Sequence, residues 1–212
     1  MLDFSEENLK KNCPHCNFSS FAFTSPLEET SDFKIICDVH PLLEGHILII
    51  PKKHISCIAE YSEKEYVQFL SLFRKYSDFI QKTYGSVSTF EHGKIGQTVF
   101  HSHIHLLPFA GSPEEIIPEG LQNLTLFSDF SHLKTIYEKE GKYLYFSISN
   151  QMWTVNTELG APRFFRDRFA NALHVSERGN WKEMNKNKDI MQKATKEIKE
   201  LQNKWSSFKK LI

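Results

Sequence analysis

The chain has 212 residues with 26 basic and 26 acidic side chains, so its formal net charge is zero. A chain without excess positive charge is a poor candidate for bulk nucleic-acid binding, but a local pocket for one phosphate is compatible with this charge. Hydrophobic residues make up 40% and charged residues 25%, which is typical of a globular protein and excludes a disordered one.

The ends of the chain and its cysteines narrow the class of protein further. The first residues have no basic start followed by an apolar run, so we expect no secretory signal. The longest apolar stretch, residues 47–50, is far shorter than the about 20 residues that cross a bilayer. Four cysteines in a chain of this length do not indicate a disulfide scaffold. We therefore expect a cytoplasmic protein without membrane contact.

The first predicted elements are two strands, at residues 33–38 and 46–50, with a turn between them. A long helix begins at Ser62, because Ser62 and Glu65 have the spacing of a capping box and apolar residues follow at helical spacing. Gly85 ends this helix. Two more strands are predicted at residues 87–91 and 98–108.

After residue 108 the pattern changes. Prolines and glycines in residues 110–125 predict a connection, and a short helix then ends at Gly141. Two strands and two helices follow, at residues 142–149, 151–156, 164–173 and 189–208. Arg163, Arg166 and Arg168 near the first of these helices could reach phosphates, but exposure on a surface helix is the simpler interpretation.

Three histidines at alternating positions, His101, His103 and His105, are the most informative feature. On a strand such residues share one face, so the three imidazoles project the same way. A neutral imidazole is a good nucleophile toward phosphorus when its second ring nitrogen is held as a donor, and further donors must neutralise the phosphate oxygens. A metal-binding or surface tract without catalytic role is the alternative interpretation.

The histidine run HSHIHLL at residues 101–107, preceded by GQTV, resembles the signature of the histidine triad (HIT) superfamily of nucleotide hydrolases and transferases. Upstream, DVHPLLEGH at residues 38–46 and IIPKKHIS at residues 49–56 resemble the Hint branch of that superfamily. The resemblance covers roughly residues 10–110. It implies an α+β fold, with a mostly antiparallel sheet of about five strands, a long helix packed on the sheet, and a homodimer.

The resemblance also implies the domain organisation. Residues 1–110 would form the catalytic domain, including an N-terminal zinc-binding arm. Residues 111–212 would form an extension of mixed short strands and helices that packs on this core. No recognised motif occurs in the extension.

The resemblance assigns roles by position. His103 matches the nucleophile that takes the nucleoside monophosphate as a covalent phosphoramidate, and His105 matches the residue that contacts phosphate oxygens. Asp38 matches the acidic residue that receives the ribose hydroxyls. Gln97 and Thr98 match residues near the phosphates or the leaving group.

Two further positions bear on the chemistry. His46 matches a motif histidine that lies behind the site. Glu91 stands where the Hint branch has an asparagine, and this difference bears on the contacts to the acceptor or the leaving group. A Phe-Glu-x-x-Gly stretch is also seen in galactose-1-phosphate uridylyltransferases, but those enzymes have glutamine at the position of His105. The third histidine therefore favours a hydrolase.

The Cys13-Pro14-His15-Cys16 segment has two interpretations. It resembles the active-site tetrapeptide of DsbA-type thiol oxidoreductases, although no thioredoxin-like strand and helix precede it. Zinc-containing members of the HIT superfamily use instead a C-x-x-C, a histidine after the second strand and the first histidine of the triad. The matching ligands of a structural zinc are Cys13, Cys16, His54 and His101.

The sequence thus predicts a nucleotide hydrolase that cleaves a nucleoside phosphate derivative at its α-phosphorus through a nucleotidyl-histidine. The substrate class is a phosphoramidate or a dinucleoside polyphosphate. The alternatives are a nucleotidyltransferase that uses a phosphate acceptor and a non-catalytic nucleotide-binding protein. A thiol oxidoreductase acting through Cys13 and Cys16 is a distant third.

Overall fold

The computed structural model describes Lys10 and residues 12–210. In this part of the chain eight strands form one sheet, in which every neighbouring pair is antiparallel. The strands are β1 (Pro26–Glu29), β2 (Phe33–Cys37), β3 (Ile47–Pro51), β4 (Ser88–Gly93), β5 (Ile104–Leu107), β6 (Leu124–Phe127), β7 (Tyr143–Ile148) and β8 (Gln151–Val155). Their order across the sheet is β1-β2-β3-β5-β4-β7-β8-β6.

Six α-helices accompany the sheet in the described residues. They are α1 (Glu63–Tyr84), α2 (Pro113–Ile116), α3 (Ser131–Glu140), α4 (Phe164–Ala172), α5 (Trp181–Met184) and α6 (Lys188–Phe208). None of these helices combines the length and the apolar character that a membrane span requires.

The α+β class and the antiparallel sheet are confirmed, but the sheet is larger than the expected five strands. Strands β1 to β5 lie within residues 1–110, and β6, β7 and β8 come from the extension. The enlargement arises because β7 pairs with β4 along its whole length, from Ser88 opposite Ile148 to Gly93 opposite Tyr143. The sequence analysis missed β1 and β6, which are four residues long and partly exposed.

Helix α1 covers one face of the sheet. The predicted capping box is present, with the Ser62 side chain accepting from the Glu65 N–H, and Gly85 ends the helix in the left-handed conformation. The buried side of α1, including Phe69, Tyr76 and Phe79, packs on the alternate residues of the strands. Helix α6 lies against α1, where the Trp205 and Tyr76 ring centroids are 4.5 Å apart.

Helix α4 covers part of the opposite face. Its Phe165 and Phe169 side chains pack with Phe90 of β4 and Phe146 of β7 in a second apolar cluster. The Phe90 ring is 5.1 Å from the Phe169 ring and stacked on it. The extension therefore packs directly beside β5, the strand on which the histidine run ends.

Candidate active site

The histidine run is only partly a strand. β5 begins at Ile104, so His101 and His103 lie in the loop before it, which is a difference from the predicted strand at residues 98–108. Side chains nevertheless alternate from His101 to His105, and the Ser102 N–H donates to the Ile55 carbonyl at 2.6 Å. Ser102 and Ile104 face α1, whereas the rings of His103 and His105 lie 5.0 Å apart on the other face.

The backbone fixes the ring of His103. Its Nδ1 donates to the carbonyl oxygen of His101 at 2.6 Å, so its Nε2 carries the lone pair. Burial lowers the pKa of His103, although this hydrogen bond and Asp38 raise it. A neutral, oriented imidazole with a free Nε2 lone pair is the form that can attack phosphorus.

A chain of hydrogen bonds makes Nε2 of His105 a donor, whereas Nε2 of His103 is an acceptor. The Leu42 N–H donates to His46 Nδ1 at 3.1 Å, so His46 Nε2 carries a proton and donates to His105 Nδ1 at 2.8 Å. His105 Nε2 is therefore a donor, and it is buried without a partner among the described residues. Burial lowers the pKa of His46 to about 4, which keeps this imidazole neutral.

Phe90 holds the ring of His105 from the side. The two rings are stacked with centroids 4.1 Å apart, and Phe169 of α4 stacks on the far side of Phe90. The ring of His105 is thus clamped between its hydrogen bond to His46 and an aromatic stack that begins in the extension.

Asp38 forms a buried ion pair with Arg166. The Arg166 guanidinium donates to Asp38 Oδ2 at 2.7 Å, and the His40 N–H donates to Asp38 Oδ1 at 2.9 Å. Burial alone would raise the pKa of the Asp38 carboxyl, but Arg166 and His46 lower it far below its usual value. Asp38 is therefore a carboxylate throughout the physiological pH range.

These groups line one cavity of about 370 Å³. Asp38, Thr98, His103 and His105, all predicted from the sequence, lie on its wall. Gln97 lies apart from this lining: its Nε2 donates to the Ser56 carbonyl at 2.7 Å, and its Oε1 is buried without a partner among the described residues. His46 is fully buried behind His105, where the sequence analysis placed it.

The four predicted metal ligands converge next to this cavity. The donor atoms of Cys13, Cys16, His54 and His101 all lie within 4.8 Å of one another. His101 Nδ1 is 3.5 Å from each of the two sulfur atoms, and His54 Nδ1 is 3.2 Å from Cys16 Sγ. Two thiols and two imidazoles in this arrangement form a donor set for a four-coordinate cation.

His101 connects this cluster to the cavity. Its Nε2 donates to the Pro51 carbonyl at 2.7 Å, which turns Nδ1 toward the thiols, and its own carbonyl accepts from His103. His15, which lies between Cys13 and Cys16 in the chain, is also on the cavity wall, with its ring 5.0 Å from that of His103. No role was predicted for His15 from the sequence.

Glu91 lies beneath the loop, on the α1 face of the sheet, and not in the cavity lining. Its carboxylate accepts from the Ser102 hydroxyl at 2.7 Å, from the Ile58 N–H at 3.1 Å and from the Tyr143 hydroxyl. Burial raises the pKa of Glu91 to about 7, against the opposing effect of these hydrogen bonds. Glu91 is therefore connected to the histidine loop by its hydrogen bond with Ser102, which lies between His101 and His103 in the chain.

Arg166, Trp181 and Asn185 of the extension also line the cavity. Surface exposure was the simpler interpretation of Arg166 from the sequence, and it is wrong, because Arg166 is buried against Asp38. No role was predicted for Trp181 and Asn185. One signal for Arg166 was available, because it precedes Phe169 by three residues and so falls on the apolar side of α4. A charged residue on such a side requires a buried partner. Trp181 and Asn185 carry no comparable local signal.

Comparisons with known proteins identify the family of the domain that carries this site. Residues 25–111 match the HIT domain family. An uncharacterised HIT-like protein of Mycoplasma genitalium is 32% identical over 109 residues, which are 49% of this chain and 77% of the relative. The protein hit of Bacillus subtilis is 26% identical over 131 residues, 54% of this chain and 90% of the relative.

A third relative carries a named activity. An adenosine 5'-monophosphoramidase of Danio rerio is 38% identical over 64 residues, which are 29% of this chain and 40% of the relative. With the triad of histidines, the antiparallel sheet and these matches, the chain belongs to the HIT family.

Proposed function

We propose that the protein is a nucleotide hydrolase that cleaves a nucleoside phosphate derivative at its α-phosphorus through a nucleotidyl-histidine. The observation that carries the proposal is that two neighbouring imidazoles present different groups to the cavity, one an acceptor nitrogen and the other an N–H donor. His103 presents a lone pair at Nε2, and His105 presents an unpaired N–H donor. One group can attack phosphorus while the other stabilises a phosphate oxygen.

The steps follow from these assignments. His103 Nε2 forms a bond to the α-phosphorus, and the bond from phosphorus to the leaving group breaks with its electron pair going to the leaving group. The leaving group takes up a proton from solvent, and the water of the second step returns one proton to solvent. His105 Nε2–H donates to a phosphate oxygen as negative charge develops there. Water then attacks phosphorus, breaks the P–N bond, and releases a nucleoside monophosphate. Asp38 would accept hydrogen bonds from the ribose hydroxyls in addition to the one from Arg166.

We further propose that the cluster of Cys13, Cys16, His54 and His101 holds a structural zinc. Around a tetrahedral zinc, sulfur and nitrogen ligands lie about 3.5 Å apart, which agrees with the 3.2 to 3.5 Å separations found here. Four protein ligands leave no open position, so the ion would supply no chemistry to the reaction. It would hold His101, whose carbonyl orients the nucleophile.

The relative from Danio rerio supports a nucleoside phosphoramidate as the first substrate to test. A dinucleoside polyphosphate is the second substrate class, and transfer to a phosphate acceptor instead of water would use the same intermediate. A homodimer and a cytoplasmic location stay predictions from the sequence.

Intact-mass spectrometry after a brief incubation with an adenosine phosphoramidate tests the proposal. We expect the wild-type chain to gain the mass of one adenylyl group and to release adenosine monophosphate. His103→Ala removes the attacking nitrogen and should lower kcat by about 10³-fold or more. The variant should keep the wild-type circular dichroism spectrum.

His132→Ala is the matched control, because His132 lies on α3 and stacks on Phe127 outside the cavity. This variant should turn over substrate at the wild-type rate. Turnover that persists in His103→Ala, or an adduct that maps to another residue, would refute the proposed nucleophile. Nucleotide binding without turnover in the wild type would favour the non-catalytic alternative.

A further inference from the structure

The cavity has a wall that does not come from the family-matched part of the chain. Residues 25–111 match the HIT domain, whereas Trp181 and Asn185 lie about seventy residues further along and still line the cavity. Trp181 begins the short helix α5 and is half-buried, and Asn185 follows that helix directly. Specificity supplied by these residues would belong to this chain and not to the shared fold.

Aromatic groups define this side of the cavity. The ring of His40 lies between Phe21 and Trp181, with centroids 5.9 Å and 5.8 Å away. Phe21 comes from the segment after the cysteine pair and is 57% exposed. Ile36 and Leu48 add an apolar floor from β2 and β3. A planar heteroaromatic ring fits this environment, because stacking on aromatic faces is favourable and tolerates different bases.

Asn185 adds a polar contact at the edge of this surface. Its Oδ1 is 2.8 Å from His40 Nε2, which can donate to it. No hydrogen bond of the Asn185 amide nitrogen is present within the described residues, so this nitrogen is available as a donor, and Asn185 is part of the cavity lining. Such a donor complements the ring nitrogen or carbonyl acceptors on the edge of a nucleobase.

Two buried arginines fix this wall to the loop that carries Asp38. Arg166 donates to the carbonyls of His40 and Gly179, and Arg178 donates to the carbonyls of Pro41 and Leu42. Arg178 also pairs with Glu197 of α6 at 2.6 Å. Because these contacts are buried, the segment before α5 is held at a set distance from the catalytic histidines.

We propose that Trp181 and Asn185 form the nucleobase-recognition wall of the cavity, so that the extension sets the base specificity of the enzyme. The inference rests on the proposed function. Charged and polar groups gather at Asp38, Arg166, His103 and His105, which suits the ribose and phosphate, and the aromatic and amide groups of the extension remain for the base. Trp181 would stack on the base, and the Asn185 amide would donate to its edge.

Steady-state kinetics with adenosine, guanosine, cytidine and uridine phosphoramidates test this wall. Trp181→Leu keeps apolar bulk but removes the indole, and we expect KM for the purine substrates to rise by about 10-fold or more. KM for the pyrimidines should rise less, because they offer a smaller stacking face. The kcat should stay within about twofold, since the substituted group does not touch the reacting phosphorus.

Asn185→Ala should change the ranking of the four bases, because it removes a donor that only some base edges can use. Glu183→Ala is the matched control: Glu183 lies in the same short helix, pairs with Lys186 at the surface and is absent from the cavity lining. It should leave all four KM values unchanged. Equal KM values in Trp181→Leu and wild type, or equal losses for all four bases, would overturn the inference.

A binding measurement separates this inference from the proposed chemistry. Trp153 and Trp205 are buried, so Trp181 is the tryptophan that adenosine monophosphate can reach. We expect this product to quench the tryptophan fluorescence of the wild-type chain and not of Trp181→Phe, with binding to both confirmed by calorimetry. Quenching without turnover would refute the proposed hydrolase activity and support base recognition by Trp181. Turnover without quenching would refute base recognition by Trp181.

Discussion

Two groups of histidines lie side by side in this protein, and their partners give them different properties. In the cluster of Cys13, Cys16, His54 and His101, imidazole nitrogens face thiols and no ion pair is present among the described residues. In the cavity, His46, His103 and His105 are joined to carbonyls, N–H groups and each other, next to the Asp38–Arg166 pair. The first arrangement suits a cation, and the second suits an anionic substrate.

The difference teaches that the residue type alone does not set the role of a histidine. His101 and His103 are two positions apart, yet the first turns its Nδ1 to sulfur and the second donates its Nδ1 to a backbone carbonyl. The remaining nitrogen, in each case, decides what the side chain can do. The two sites also depend on each other, since the His101 carbonyl orients His103.

The largest effect is expected at the ion pair of the cavity. Arg166→Met leaves Asp38 as a buried carboxylate without its cationic partner, and we expect a loss of about 3–5 kcal/mol in the free energy of unfolding. KM should rise as well, because Asp38 and the loop of His40 lose their anchor. Urea denaturation and steady-state kinetics measure both effects.

Arg168→Met is the matched control for this variant. Arg168 lies on the same helix but pairs with Glu119 near the surface, and we expect a loss of about 1 kcal/mol or less. KM should not change. If Arg166→Met and Arg168→Met lose equal stability and activity, the Asp38–Arg166 pair does not support the cavity.

The metal cluster should show an intermediate effect. Cys16→Ser removes a thiolate ligand, and the purified variant should contain much less zinc than the wild type by elemental analysis. A metal at 100 times its Kd stabilises the folded state by about 2.7 kcal/mol, so a loss of this order is expected. Adding a chelator to the wild type should reproduce it.

Cys37→Ala tests the specificity of that result. Cys37 is a free, buried thiol in the core beneath α1 and lies outside the cluster. Its substitution should leave the zinc content unchanged. Full zinc content in Cys16→Ser would exclude this residue as a ligand.

The pH dependence of stability is the smallest effect when it is expressed per pH unit. Burial lowers the folded-state pKa of His46 to about 4 and of His92 to about 3, so the unfolded chain binds more protons than the folded chain below pH 6.5. Burial raises the pKa of Glu91 to about 7, so this group acts in the opposite direction between pH 4.5 and 7. Two histidines outweigh one carboxyl once both histidines of the unfolded chain are protonated, and stability should fall by at least about 1.4 kcal/mol per pH unit from about pH 5.5 to 4.5.

Glu91→Gln sharpens this prediction. The substitution removes the one group among these three whose proton uptake favours the folded state. The loss between pH 6.5 and 4.5 should therefore steepen toward about 2.7 kcal/mol per pH unit. Urea denaturation at pH 7, 6 and 5 measures the slopes. A shallower slope in Glu91→Gln than in the wild type would contradict the protonation of Glu91 in the folded chain.

The sequence predicted those parts of the fold that have a strong local pattern. The capping box at Ser62, the glycine at the end of α1 and the antiparallel strands β2, β3 and β4 are confirmed with small changes of boundary. The short strand β1 and the strand β6 were missed because four partly exposed residues carry little periodicity. The segment before β5 was predicted as strand, but Thr98 to His103 form a loop.

The candidate site divides in the same way. The spacing of the triad histidines and the order of the cysteine and histidine ligands are sequence features, and the structure brings each set together. Which nitrogen of each ring is available depends on acceptors such as the His101 carbonyl and donors such as the Leu42 N–H, whose positions no spacing rule supplies. For Gln97 the motif position predicted a place near the phosphates or the leaving group. In the structure its amide donates to the Ser56 carbonyl, outside the cavity lining.

The sequence by itself determined that this is an α+β protein with a triad of histidines, because strand alternation and motif spacing are local properties. Tertiary structure alone decided that the extension enlarges the sheet and closes the cavity with Arg166, Trp181 and Asn185. The separation between Asp38 and Arg166 is 128 residues along the chain and 2.7 Å in space. Only the folding of the extension against the edge of β4 brings such distant residues together.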